Sequence, residues 1–277
     1  MPSLKDWVPG DVFQCLVVSP FKGGKTWGAG TFPRPNFMDF DRGIDTLRNP
    51  AWVSKYGMRD IQYEQFREKN VNAQGVITSH NAFDDACRYF DKCMKAGERD
   101  KFDSWVIDSG SSLSDFAANK AMFLMGADAV GQKSFTHKQA LLTGLVVPKQ
   151  QDYAAERSMV EQFIDMILSS GKHVAFLCHE KVLTDDQGNM KSIVPLLTGK
   201  SQEVVPSKFS EVYHLILKRK GLEISRELQT QPDMIRRCGS RIGIPNGIPW
   251  EWDAIQAELK KIRLAQAVVG NTLPSAK

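Results

Sequence analysis

With 277 residues, 42% hydrophobic and 25% charged, and a net charge of +4, the chain has the composition of a soluble globular protein built on one sizeable core. No apolar run reaches the roughly eighteen residues that a membrane span needs, and the opening MPSLKDWVPGDV has no secretory pattern, so a cytoplasmic location is expected. The five cysteines (Cys15, Cys87, Cys93, Cys178 and Cys238) contain no CxxC pair, which argues against a zinc site or a disulfide framework and for buried free thiols. Residues 201–277 carry 12 Lys+Arg and 8 Asp+Glu, so the whole +4 excess lies in the C-terminal quarter, a distribution that permits a polyanionic partner.

In chain order, short apolar strands alternate with amphipathic helices, the pattern of an α/β protein around a largely parallel sheet. Phe13–Ser19 reads as a buried strand, followed by the loop Ser19-Pro20-Phe21-Lys22-Gly23-Gly24-Lys25-Thr26 and then a helix start. This is the phosphate-loop pattern, with Ser19 where the first glycine normally stands. Its chemistry needs backbone N–H groups curled round a phosphate, which Gly23 and Gly24 permit. It also needs a point charge for the β- and γ-phosphates (Lys25) and a hydroxyl for Mg²⁺ (Thr26). ATP and Mg²⁺ are therefore the expected ligands, with the loop through Trp27 as their binding surface.

Asn36–Phe40 reads as a second strand, with Asp39 and Asp41 at its end as carboxylates able to orient or deprotonate water; Asp41 is the preferred base and Asp39 its support. Residues 42–80 read as an irregular insertion. A helix is expected over 81–96 with Asn81 as its cap and Gly97 as its stop. Trp105–Ile107 forms a strand ending in Asp108, the carboxylate expected to hold the metal's water shell. A helix follows from about Leu113 to Leu124. Residues 126–150 read as loop, Tyr153–Leu168 as a helix stopped at Gly171, and Val174–Cys178 as a strand that leads into His179, a polar residue placed to touch a γ-phosphate. Asp185–Asn189 is a turn between extended arms. Glu211–Lys218 and Leu222–Thr230 read as a hairpin, and Trp250–Ala267 as a closing helix before a frayed end.

Together these blocks resemble the RecA-like recombination ATPases, most closely the phage-encoded branch associated with single-strand annealing. The resemblance implies a RecA-like core over 1–249, with antiparallel C-terminal strands, the insertion at about 42–80, and a C-terminal helix and tail over 250–277. It places the family's catalytic glutamate on Asp41, one methylene shorter, and its sensor at His179 in KHVAFLCHEK. It implies single-stranded DNA as partner, with Lys181, Lys191 and Lys200 on a hairpin as phosphate contacts. It further implies a homo-oligomeric ring or filament, with Lys218, Arg219 or Lys220 reaching a neighbour's γ-phosphate, and a single-strand-binding protein as a possible associate. A helicase loader or DNA motor, a small-molecule kinase with Arg236, Arg237 and Arg241 imitating a lid, and a nucleotide-binding scaffold remain alternatives.

Overall fold

The computed structural model describes residues 12–68, 80–128, 150–221 and 223–272. Its central strands are covered on both faces, which is why their sequences are unbroken apolar runs. In β1 (Gln14–Ser19), Leu16 and Val18 enter one core while Cys15 and Val17 enter the other. The same alternation divides β4 (Ser104–Asp108), with Trp105 and Ile107 on one side and Val106 opposite.

The first core is closed by α3 (Ala82–Cys93), α4 (Gly110–Asp128) and α5 (Gln150–Leu168), through Phe83, Phe90, Leu113 and Phe163. The second is closed by α1 (Lys25–Ala29), α2 (Pro50–Tyr56) and α7 (Trp252–Thr272), through Ala29, Trp52, Trp252 and Ile255.

The remaining strands are β2 (Pro35–Asp39), β3 (Gln62–Gln65), β5 (His173–Thr184), β6 (Met190–Pro195), β7 (Glu211–Lys220), β8 (Glu223–Gln229), β9 (Gly239–Ser240) and β10 (Ile248–Pro249). They order as β10-β8-β7-β1-β5-β4-β2-β3, with β6 beside β5 and β9 beside β7. Strands β7, β1, β5, β4, β2 and β3 run parallel, whereas β8, β10, β6 and β9 pair antiparallel. This is the expected α/β architecture, a mainly parallel sheet flanked by helices, with antiparallel C-terminal strands and a C-terminal helix. The order inserts β5 between β1 and β4. Ser19 then pairs in register with His179, and Asp39 with Asp108, so the polar strand ends lie along one edge of the sheet.

Several local expectations change. Within 42–80, residues Gly43–Arg48 form a 3₁₀ turn, α2 follows, and the polar segment Gln62–Gln65 adds a parallel edge strand. Trp52, buried against α1, donates from Nε1 to the Trp27 carbonyl at 2.9 Å, tying the segment to the core. Asn81 stands at the N-cap of α3 without a side-chain cap bond; the Glu68 carboxylate instead accepts from the Asn81 and Ala82 N–H groups. Helix α4 begins at Gly110, three residues before the apolar periodicity starts, and runs to Asp128; residues 129–149 of the expected loop lie outside the described residues. Strand β5 continues past the core to Thr184. Strand β7 is parallel to β1 on one side while forming the hairpin with β8 on the other, so the C-terminal half is not wholly antiparallel. Leu222, in that hairpin's turn, lies outside the described residues. Among the described residues no helix is long and apolar enough to cross a membrane.

Candidate functional site

The loop between β1 and α1 packs tightly. Gly24 adopts φ 94°, a left-handed conformation that suits glycine, and a Cβ there would strike the Arg226 side chain. Ser19, fully buried at the first-glycine position, bonds its hydroxyl to the Pro20 carbonyl at 3.2 Å and fills the space beside Gly23. Helix α1 is a short piece held at both ends by the C-terminal segment. Trp250 Nε1 donates to the Lys25 carbonyl at 2.9 Å, and the Trp252 N–H donates to Thr31 Oγ1 at 2.7 Å.

A cavity of about 240 Å³ opens above this loop, walled by Lys25, Thr26, Asp41, Asp108, His179 and Arg226 among others. Thr26 Oγ1 donates to Asp108 Oδ2 at 2.5 Å. Burial is the largest influence on Asp108 and raises its pKa to about 6; Asp41 and Asp39 add to the rise, against the Thr26 hydrogen bond and the Lys25 charge. Burial likewise lowers the pKa of Lys25, partly offset by Asp108 and Asp41.

Lys25, His179 and Asp41 form a continuous chain. Lys25 Nζ lies 3.0 Å from His179 Nδ1, and His179 Nε2 lies 2.8 Å from Asp41 Oδ2. An ammonium can only donate, so Nδ1 accepts and Nε2 carries the proton that goes to Asp41. Asp41 also accepts from Ser112 Oγ. Burial pushes the Asp41 carboxyl up, but the hydrogen bonds from His179, Ser112 and Ser109 outweigh it and bring the pKa to about 2.

Asp39 does not face the cavity. It is fully buried and accepts from the Asp41 and Gly43 N–H groups (3.2 and 2.9 Å) and from Gln65 Nε2 (2.8 Å), so it fixes the turn that carries Asp41. A Cβ on Gly43 would strike Asp108 Oδ2, which makes this position a close approach of backbone to carboxylate.

Of the predicted residues, the structure brings Lys25, Thr26, Asp41, Asp108 and His179 to one cavity. The lysines divide differently from the expectation of one hairpin. Lys181 and Lys191 are exposed on the β5–β6 hairpin, whereas Lys200 lies beyond it, at the N-cap of α6 (Ser201–Ser207). Lys218 pairs with Glu227 at 2.5 Å, and Arg219 Nε donates to the Gly221 carbonyl at 3.0 Å; Lys220 ends β7 in register with Glu223. Three participants were missed. Ser111 accepts the His179 N–H at 3.0 Å and Ser112 bonds Asp41, both from the first turn of α4; the serine run after Asp108 was the available signal. Arg226, from β8, lies over Trp27 with its guanidinium carbon 4.7 Å from the ring centroid, and no local motif marks it.

The sequence matches the AAA domain family over residues 13–234. The chain belongs to the AAA domain family. No curated protein matches it significantly. Many solved structures share a distant likeness, among them two from archaeal sources. A KaiC-like protein from the hyperthermophilic archaeon Pyrococcus horikoshii is 14% identical, with 78% of this chain and 77% of that one covered and a TM-score of 0.36. The flagellar accessory protein FlaH from Methanocaldococcus jannaschii is 9% identical, with 78% and 76% covered and a TM-score of 0.32.

A nucleotide with Mg²⁺, the ligand pair that an AAA domain implies, suits the residues present. A glycine cradle that a Cβ would fill, a buried lysine, and a hydroxyl bonded to a carboxylate supply phosphate donors and hard oxygen ligands. Among the described residues no group of three or more His, Cys, Asp and Glu side chains is arranged to hold a metal by itself, so phosphate and water would complete the shell.

Proposed function

We propose that the chain binds ATP with Mg²⁺ and hydrolyses it, coupling this to single-stranded DNA in annealing or strand exchange. The observation that carries the hydrolytic reading is the Lys25–His179–Asp41 chain standing beside the Thr26–Asp108 pair. Lys25 would bind the β- and γ-phosphates, and Thr26 and Asp108 would hold Mg²⁺. The metal, when bound, would neutralise charge developing on the phosphates. Asp41, kept ionised by its hydrogen bonds, would accept a proton from the attacking water. His179 loses its lysine partner when Lys25 turns to phosphate, so its Nδ1 would become free to report the γ-phosphate. Asp39, Ser111 and Ser112 position these groups.

The DNA reading is supported by continuity: β5 carries His179 at the cavity and Lys181 two residues later on the exposed hairpin. Lys191 and Lys200 add cations nearby in sequence, suited to sequence-independent phosphate contacts. A homo-oligomer, with Lys218, Arg219 or Lys220 offered to a neighbour's site, belongs to the same proposal. ATP turnover measured with and without single-stranded DNA tests it. Stimulation of tenfold or more is expected; measurable turnover indifferent to DNA would overturn the DNA part, and no turnover under either condition would overturn the hydrolytic part.

A further inference from the structure

Behind Arg226 lies a second cavity of about 460 Å³, walled by Trp27, Lys55, Glu223, Trp250 and Glu251 among others. It shares Trp27 and Arg226 with the phosphate-loop cavity, so this stacked pair stands at the junction of the two. Arg226 Nε is buried there and has no hydrogen-bond partner among the described residues. An orphaned charged donor is costly, and its cost falls when a ligand supplies an acceptor.

Direction decides what that ligand is. The phosphate-loop cavity holds Asp108, Asp41 and His179 at one end, where the terminal phosphate would stand. A triphosphate laid along Gly24–Thr26 must then carry its other end toward Trp27 and Arg226. There the walls change character. Trp27 and Trp250 contribute indole atoms to the wall, and the Lys55–Glu251 pair (2.5 Å) offers a donor and an acceptor at the rim. That mixture suits a flat heterocycle with polar edges, and the volume suits a nucleoside.

We propose that Arg226 and this second cavity form the nucleoside subsite of the nucleotide site, with the guanidinium donating in cis to the sugar or base rather than to the phosphate chain. The inference rests on the phosphate-loop reading and deepens it. It also gives the β7–β8 hairpin a role within its own subunit, distinct from any contact that Lys218–Lys220 make with a neighbour.

The test compares ATP and inorganic tripolyphosphate, each with Mg²⁺, in calorimetric titrations of the full chain. Arg226→Ala should weaken ATP about 10- to 100-fold and leave tripolyphosphate within about twofold, while Arg226→Lys recovers only part of the loss. Lys55→Met, at the exposed rim, should weaken ATP a few-fold with the same indifference to tripolyphosphate. It serves, with Arg226→Lys, if the alanine variant does not fold. Unchanged ATP affinity in the Arg226 variants, or an equal loss for tripolyphosphate, overturns the proposal. A wild-type protein that binds tripolyphosphate no better than Lys25→Ala would overturn the phosphate-loop reading itself.

Discussion

The two ends of β5 contrast in how they use charge. Up to His179 the strand lies between β1 and β4, and the charged groups around its end are largely buried, hydrogen-bonded and shifted in pKa. Beyond it the strand leaves the sheet core to pair with β6, and Lys181 and Lys191 stand exposed. Low dielectric and fixed partners make the first region a site of defined geometry; water and screening make the second a diffuse cationic surface. Chemistry is therefore expected to concentrate at the first, and salt-dependent affinity at the second.

Removing the central cation tests that contrast most severely. Lys25→Ala should lower ATP hydrolysis by about 10²- to 10³-fold in a steady-state phosphate-release assay; near-wild-type turnover would place the chemistry elsewhere. Asp41→Asn keeps the shape but loses the acceptor charge, and should slow turnover by at least about 10²-fold while nucleotide affinity stays within a few-fold.

A third test asks whether the C-terminal side of the sheet is as tightly buried. His214, on β7, is buried, and its Nδ1 has no hydrogen-bond partner among the described residues; burial first, and the Arg236 charge second, lower its pKa to about 4 from 6.5. A depressed histidine adds stability that is present above pH 6.5 and lost as pH falls through about 4. His214→Leu should therefore flatten the pH dependence of denaturant unfolding over that window, by on the order of 2 kcal/mol. An unchanged profile would mean that His214 is hydrated.

Asp108 makes the opposite prediction, because its raised pKa means that ionisation near neutrality opposes folding. Asp108→Asn should stabilise the nucleotide-free protein at pH 7–8 by on the order of 1–2 kcal/mol, visible as a higher Tm, while losing Mg²⁺-dependent nucleotide binding. The smallest effect belongs to the exposed region. Neutralising Lys181, Lys191 and Lys200 together should lower single-strand affinity about tenfold and reduce the slope of log K against log salt by about 2, leaving DNA-free turnover unchanged. A lowered DNA-free turnover would dissolve the distinction between the two regions.

Much of the site is legible in the sequence because parallel strands deliver their polar residues at their ends. Asp41, Asp108 and His179 each follow an apolar run, and the phosphate loop is local. Strand β3 is not legible, since its QYEQ is largely exposed at an edge and carries no apolar signal. Neither is the start of α4, where glycine and two serines mask a helix whose first turn serves the site. Asp39 illustrates the limit most clearly. Its place beside Asp41 marks it as important, yet its task is to hold a turn.

The sequence by itself determined the mainly parallel α/β core and the phosphate loop, because strand periodicity and glycine spacing act over a few residues. The tertiary structure decided which distant groups meet. Inserting β5 between β1 and β4 puts His179 between Lys25 and Asp41, and folding β8 back along β7 puts Arg226 over Trp27. Strand order and the hairpin's return are set by packing of the whole sheet, and no local segment encodes them.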